Sequence, residues 1–140
     1  MIEFVYNTKF SLSDEKNVTD WLLFVTKSEG IALDKLLYNY VAPETIKEIN
    51  KKHLQHDYVT DIITFNYAPD SSVSAEAFIC QDQVLKNAKK HSQTIENETL
   101  RVLCHAVLHL SGYQDKTENE IEIMRAKEDD YLDVFNKKFK

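Results

Sequence analysis

Two histidines and one aspartate in the last third of the sequence have the types and spacing of metal ligands. His105 and His109 are one helical turn apart, so on a helix both imidazoles face the same way and can reach one ion. A third ligand must come from beyond the helix, and Gly112 is the residue at which the chain can turn back before Asp115. The pattern H-x3-H-x2-G-x2-D therefore predicts one zinc ion per chain, held by His105, His109 and Asp115. The fourth position stays open for a metal-bound water, which is typical of catalytic zinc, and we assign no side-chain base.

The same histidine pair could instead lie on a solvated helix face and bind nothing. Five apolar neighbours argue against this, since they make the helix apolar on most sides: Leu100, Leu103, Val107, Leu108 and Leu110. Cys104 points about 100° away from His105 around a helix and is expected in the core. Glu118 is the substitute ligand if Asp115 fails, although a glutamate there also favours a helix N-terminus. The other histidines are expected either at the surface or with their hydrogen bonds satisfied, and not as ligands: His53, His56 and His91.

The residue after the first histidine argues against a peptidase. Zinc peptidases with two histidines on one helix carry a glutamate directly after the first, where it acts as general base. Here that residue is Ala106, so peptide hydrolysis by that route lacks its proton acceptor. A metalloprotease-like hydrolase is therefore the least favoured function.

The rest of the sequence predicts the elements that must position these residues. Strands are expected where β-branched and aromatic residues concentrate: Ile2 to Tyr6, Leu36 to Val41, Asp61 to Tyr67 and Val73 to Cys80. Turn residues from Ala68 to Ser72 predict that the last two strands form an antiparallel hairpin. Helices are expected at five places: around Val18 to Val25, after Pro43, and over about Asp82 to His91, Asn97 to Ser111 and Glu118 to Phe135.

Local signals sharpen the helix ends and give the fold class. Gly30 should close the first helix, and Thr117 with Glu120 has the spacing of a capping box. One stripe of the last helix should be buried: Ile121, Met124, Tyr131 and Phe135. The expected fold is α+β, a small mixed sheet of about four strands with one antiparallel strand, packed against about five helices with the metal site on a central helix.

Composition limits the kind of protein. The sequence has 140 residues, 43% of them hydrophobic and 29% charged, as in one globular domain, and no boundary is expected within residues 1–140. With 17 basic and 23 acidic residues the net charge is −6, so a broad cationic surface for nucleic acid is not expected. The two cysteines suggest reduced thiols without a disulfide partner. We expect a cytoplasmic protein, because neither a targeting leader nor ~20 consecutive apolar residues can be recognised.

Three segments resemble the YbeY family of metal-dependent endoribonucleases, the bacterial rRNA maturation factors. The segment from His105 to Asp115 is similar to the family signature H-G-x-L-H-L-x-G-Y-D-H. The segment from Ile49 to Phe65 resembles L-N-x-x-Y-R-x-x-D-x-P-T-D-V-L-S-F, and Ala75 to Ile79 resembles G-(D/E)-I-x-I. Together with chain length and element order, the resemblance covers essentially the whole sequence.

The chain departs from the family pattern at three positions. Asp115 replaces the third histidine, Leu54 replaces an arginine, and Ala106 replaces a glycine. Aspartate is a sound zinc ligand, but its negative charge should make the site acidify water less than three neutral imidazoles would. Leucine cannot clamp a phosphate as a guanidinium does.

The resemblance implies a single-strand-specific zinc-dependent endoribonuclease that acts in 16S rRNA 3′-end maturation and late ribosome quality control. Its partners would be an rRNA precursor and the ribosomal particle, with no membrane. Orientation of the ligands or lining of the cleft could fall to Thr60, Asp61 and Glu76, which could equally be strand residues without that role. RNA contact could fall to Lys51, Lys52 and His53. The alternative is a non-catalytic ribosome-assembly factor in which zinc only ties together the last two helices.

Overall fold

The fold, over the residues that the structure describes, consists of five α-helices and four β-strands. The computed structural model describes residues 1–68 and 72–140. In chain order the elements are β1 (Ile2–Tyr6), α1 (Glu15–Ser28), β2 (Leu33–Tyr40), α2 (Pro43–Leu54), β3 (Ile62–Asn66), β4 (Val73–Ile79), α3 (Gln81–Lys90), α4 (Ile95–Leu110) and α5 (Glu118–Val134), followed by a short π-helical turn, Phe135–Phe139. None of the helices in these two ranges is both long and apolar enough to cross a membrane.

The four strands form one mixed sheet in the order β1-β2-β4-β3. β1, β2 and β4 run parallel, and β3 pairs antiparallel with β4 through partners such as Phe65 and Glu76. The predicted α+β class, the mixed four-stranded sheet and the single antiparallel strand are thereby confirmed. Part of the predicted turn, residues 69–71, lies outside the described residues.

Helix α4 lies at the centre of the helical layer. It contacts α1, α3, α5 and β3, and Leu103, Cys104, Val107 and Leu108 are completely buried. The buried Tyr38 hydroxyl of β2 donates a 2.7 Å hydrogen bond to the Leu103 carbonyl, which ties α4 to the sheet. Helix α4 is apolar on most sides and is buried on most sides, which confirms that it is the central helix.

The predicted caps are present where the chain must change direction. Gly30 follows α1 with a φ of +73°. The Thr117 hydroxyl accepts a hydrogen bond from the Glu120 amide, while the Glu120 carboxylate accepts one from the Thr117 amide. This capping box starts α5 directly after the loop that carries Asp115.

Two details of the elements differ from the expectation. β2 begins at Leu33 rather than Leu36, because Leu33 pairs with Val73 through an irregular register. Ile121 was expected in the buried stripe of α5, but 43% of its surface is exposed. It lies one turn before the buried Met124, where α5 borders a surface cleft instead of the core.

Candidate metal centre

The two histidines of α4 project from the one side of the helix that the core leaves uncovered. Their rings are parallel to within 6°, with centroids 6.4 Å apart, as expected for residues one turn apart. The His105 side chain is 26% exposed, whereas His109 lies one turn nearer the helix end and is exposed. Ala106, which follows His105 in the sequence, is fully buried, so a general base at that position would face the core rather than the cleft.

The turn after α4 brings Asp115 back to the helix. Gly112 has a φ of +106° and its amide donates to the His109 carbonyl, while the Tyr113 amide donates to the Leu108 carbonyl. These two bonds form a Schellman motif, which reverses the chain at a glycine. As a result, Asp115 Oδ2 lies 3.3 Å from His105 Nε2.

The separation of these two atoms fits a shared zinc ion. Two ligands at bond lengths of about 2.0–2.2 Å and a tetrahedral angle lie about 3.3–3.5 Å apart. His105 and Asp115 have that spacing, and imidazole nitrogen with carboxylate oxygen is a donor set that zinc accepts. They are the residues that could hold a metal here.

The third predicted ligand does not join them in this arrangement. Within residues 1–68 and 72–140, no three His, Cys, Asp or Glu side chains converge closely enough to hold one ion. His109 keeps its ring parallel to that of His105 instead of turning toward Asp115. Because His109 is exposed, its ring can rotate without disturbing the core.

The second nitrogen of His105 is held by a buried carboxylate from α5. Glu128 Oε2 lies 2.7 Å from His105 Nδ1, and the Glu128 side chain is only 6% exposed. Burial lowers the pKa of His105, but the hydrogen bond and charge of Glu128, aided by Asp115, outweigh it and leave the pKa raised. In the neutral imidazole, a carboxylate on Nδ1 keeps the proton there and leaves Nε2 as the nitrogen that can bind a metal.

Arg101 completes the polar row on α4, one turn before His105. Its guanidinium lies 2.9 Å from the second oxygen of Glu128 and 2.5 Å from Asp129. Glu98 lies 4.0 Å away, and burial raises the pKa of its carboxyl. Arg101 therefore fixes Glu128, which in turn fixes His105.

These groups line a cleft of about 300 Å³ between α4, α5, the end of α3 and the start of β3. The polar side chains on its walls are Asp61, Asn87, His91, Glu98, Arg101, His105, Asp115, Arg125 and Glu128. An open polar cleft that contains His105 and Asp115 is suited to a charged substrate.

The weaker sequence candidates fall in different places. Asp61 lines the cleft and accepts a 3.3 Å hydrogen bond from Asn87. Thr60 contacts Asp61 at 3.4 Å and does not itself line the cleft. Glu76 lies on a face of the sheet, where Asn39 and the Tyr67 hydroxyl donate to it, so it is a strand-face carboxylate.

The candidate RNA contacts lie apart from the cleft, at the end of α2. Lys51, Lys52 and His53 are exposed there, and the His53 ring packs edge-on against Phe65. Leu54 is 46% exposed at the same helix end. None of these residues is on the cleft wall.

The remaining residues considered as ligands in the sequence are Cys104, Glu118 and three histidines. Cys104 is fully buried, and burial raises the pKa of its thiol, so it packs as an apolar group. His53, His56 and His91 are exposed, with His91 at the edge of the cleft. Glu118 is exposed in the first turn of α5.

Sequence reasoning missed Glu128, Arg101 and Arg125. Two signals were available: Arg101 precedes His105 by one turn in an otherwise apolar stretch, and Glu128 falls between Met124 and Tyr131 in the buried stripe of α5. A charged residue at a core position requires a partner. Which partner could not be read, because 23 residues separate His105 from Glu128.

Comparison with known proteins agrees with this arrangement. A family model described as Endoribonuclease YbeY matches residues 4–136. Proteins named Endoribonuclease YbeY from Flavobacterium johnsoniae and Karelsulcia muelleri are 40% and 37% identical to this chain. The first comparison covers 97% of this chain and 98% of the relative, and the second covers 99% of each.

The fold is also similar to a solved structure. The solution structure of TM1509 from Thermotoga maritima superposes with a TM-score of 0.71 at 28% sequence identity, over 98% of this chain and 91% of that one. The match of family model, sequence and fold over nearly the full length shows that this chain belongs to the Endoribonuclease YbeY family.

Proposed function

We propose that this protein is a single-strand-specific, zinc-dependent endoribonuclease that matures the 3′ end of 16S rRNA and takes part in late ribosome quality control in the cytoplasm. Membership of the Endoribonuclease YbeY family supports the nuclease activity. The observation that carries the metal proposal is the 3.3 Å approach of Asp115 to His105. His105, His109 and Asp115 would hold one zinc ion, with His109 rotating toward the other two.

The residues around the ligands set the proton positions. Glu128 would accept a hydrogen bond from the Nδ1–H of His105, so the neutral imidazole would bind zinc through Nε2. When bound, zinc would supply positive charge that stabilises the charge developing on the phosphodiester. Asp115 contributes a negative charge where the family pattern has a neutral histidine. The metal at this site should therefore lower the pKa of its bound water less than a metal held by three imidazoles would.

The cleft has room for only part of a nucleic-acid strand. Its volume of about 300 Å³ is at the small end of the range for ligand pockets. A flexible single strand can bring one phosphodiester into the cleft while neighbouring nucleotides extend outside it. Lys51, Lys52 and His53 would contact such an extension at the end of α2.

The test is a comparison of zinc content and RNA cleavage in matched variants. We expect one zinc per chain and cleavage of single-stranded RNA in the wild type, and loss of cleavage on chelation with recovery after zinc is restored. Asp115→Ala should lose zinc and cleavage together. Glu118→Ala is the control, because Glu118 carries a nearby exposed carboxylate on α5 and should keep both.

Three outcomes would contradict parts of the proposal. Cleavage that persists in His105→Ala would show a contaminating nuclease or a different site. Equal zinc in the wild type and Asp115→Ala would move the third ligand elsewhere. Full zinc occupancy without any RNA cleavage would favour the assembly factor with a structural zinc.

A further inference from the structure

Both arginines of this chain line the same cleft. The sequence contains only Arg101 and Arg125, and both are on the wall that also carries His105 and Asp115. Arginine is the side chain best suited to phosphate, because its planar guanidinium donates two parallel hydrogen bonds to two phosphate oxygens. The two arginines differ in whether they are available for such a contact.

Arg101 is already committed to protein carboxylates. Its side chain is only 11% exposed and lies 2.9 Å from Glu128 and 2.5 Å from Asp129. Hydrogen bonds and charges from these two carboxylates outweigh burial and raise its pKa further. Releasing Arg101 to a substrate would leave Glu128 as a buried carboxylate without its cation, which is costly.

Arg125 is the exposed arginine of the cleft. It is exposed on α5, one turn before Glu128 and one turn after Ile121, and all three side chains line the cleft. In residues 1–68 and 72–140, no carboxylate pairs with Arg125. It is thus an unpaired guanidinium at the mouth of a cleft whose other walls carry Asp61, Glu98 and Asp115.

The proposed zinc ion would meet only the phosphodiester that reacts, so the acidic cleft would repel the neighbouring phosphates of the strand unless a further cation receives them. The lysines of α2 lie outside the cleft walls and cannot supply a cation inside the cleft. Leu54 also lies outside the cleft walls and carries no charge. We propose that Arg125 binds a phosphate of the single-stranded RNA at the α5 rim and thereby positions the strand along the cleft. The inference rests on the proposed function, since it names the residue of this same cleft that receives the substrate.

Binding of a 2′-O-methylated RNA tests Arg125 without relying on turnover. The probe is a short single-stranded oligoribonucleotide whose 2′-hydroxyls are all methylated, titrated over a series of salt concentrations and checked on a gel for its intact length after each titration. The variants are Arg125→Met, which removes the guanidinium, and Arg125→Lys, which keeps the positive charge but cannot donate two parallel hydrogen bonds. Lys138→Met is the matched control, because Lys138 is an exposed cation beyond α5 and away from the cleft.

We expect Arg125→Met to bind the probe roughly tenfold or more weakly than Lys138→Met. Its slope of log affinity against log salt should fall by about 0.7, the value for one phosphate contact on a single strand. Arg125→Lys should keep most of that slope and lose part of the affinity. Zinc content should be the same in all variants, since Arg125 is not among the ligands.

The failures of the two proposals can be told apart. If the wild type binds and cleaves RNA while Arg125→Met equals Lys138→Met in affinity and salt slope, the role of Arg125 is overturned and the proposed function stands. If the wild type binds the probe through Arg125 but cleaves no RNA, the phosphate contact stands and the nuclease proposal is overturned. A wild type that neither binds nor cleaves overturns both.

Discussion

At the scale of single residues, His105 is the side chain on which the centre depends. Its two nitrogens face two different carboxylates, Asp115 from the returning loop and Glu128 from α5. The spacing of ligand types in the sequence was enough to predict that His105 and Asp115 meet, because helix period and a glycine turn are local properties. The contact between His105 and Glu128 could not be predicted from the sequence, because it depends on how α5 packs against α4.

Replacing Glu128 with glutamine should weaken zinc binding without removing a ligand. The amide keeps the shape of the side chain, but it no longer offers a charged acceptor to the Nδ1 proton of His105. Loss of such a partner typically costs 10–100-fold in metal affinity. We expect a drop of about this size in a zinc competition titration of Glu128→Gln.

The neighbouring carboxylate provides the control for this substitution. Asp129 pairs with the same arginine as Glu128, but it makes no contact with His105. Asp129→Asn should therefore leave zinc affinity within about threefold of wild type, since exposed ion pairs contribute little. Equal losses in Asp129→Asn and Glu128→Gln would mean that the overall charge of the cleft, not the contact with His105, controls the metal.

At the scale of elements, hydrogen bonds to one buried carboxylate, that of Glu29, hold the loop that carries Asp115. Glu29 follows α1, and its side chain is 8% exposed. It accepts a 2.9 Å hydrogen bond from the Tyr113 hydroxyl, a 3.2 Å bond from Lys127 and a short bond from the Tyr131 hydroxyl. One carboxylate thus ties the loop to α1 and to α5.

Removing the Tyr113 hydroxyl should loosen the loop and its ligand together. Tyr113→Phe and Tyr131→Phe each delete one hydrogen bond to Glu29, so each should lower the free energy of unfolding by about 1.5–3 kcal/mol. Only Tyr113→Phe frees the segment next to Asp115. We expect zinc affinity, measured by competition titration, to fall in Tyr113→Phe and to remain near wild type in Tyr131→Phe.

Glu29 should also make stability depend on pH in acid. Burial raises its pKa, but hydrogen bonds from Tyr131, Tyr113 and Lys127 outweigh this and leave the pKa below the ordinary value of 4.5. A lowered folded-state pKa gives stability that is present above 4.5 and is lost as the pH falls through the folded-state value. The cluster is therefore strongest at neutral pH.

Denaturant unfolding of Glu29→Gln at several pH values checks this sign. We expect the variant to be less stable than wild type near neutral pH, with the difference shrinking as the pH falls below 4.5. Glu122→Gln, at an exposed position of α5, should change the unfolding free energy little throughout. A difference between Glu29→Gln and wild type that stays constant into acid would show that Glu29 acts by packing rather than by charge.

At the scale of the whole molecule, local patterns predicted the elements but not their arrangement. Apolar residues on most sides of α4 indicated a central helix, and the hairpin of β3 and β4 followed from turn residues between two strand-like segments. The strand order β1-β2-β4-β3 was not predictable in the same way, since a crossover can carry a strand to either edge. Ile121 was misplaced for the same reason: helical spacing shows a stripe, not where the neighbouring helix ends.

The folded core does not include the candidate ligands, so the protein should stay folded without metal. Its two hydrophobic clusters draw on the sheet and the helices and include none of the three candidate ligands. His105 is partly exposed on α4, His109 is exposed in the last turn of that helix, and Asp115 is exposed on the following loop. Zinc would then stabilise the protein only through mass action, by about 2.7 kcal/mol at a free zinc concentration one hundred times the Kd. For a domain of this size that corresponds to a rise in Tm of roughly 10 °C.

Chelation followed by thermal unfolding, read by far-ultraviolet circular dichroism, measures this directly. We expect the chelated protein to keep its helical signal and to melt cooperatively at a moderately lower Tm, with RNA cleavage lost completely. An assembly factor with a structural zinc predicts the reverse, a collapse of stability without any cleavage to lose. His109→Ala distinguishes the two independently, because His109 is exposed and its removal leaves no buried carboxylate without a partner. This variant should melt close to the chelated wild type if the ion acts on the substrate, and should fail to fold if the ion holds α4 and α5 together.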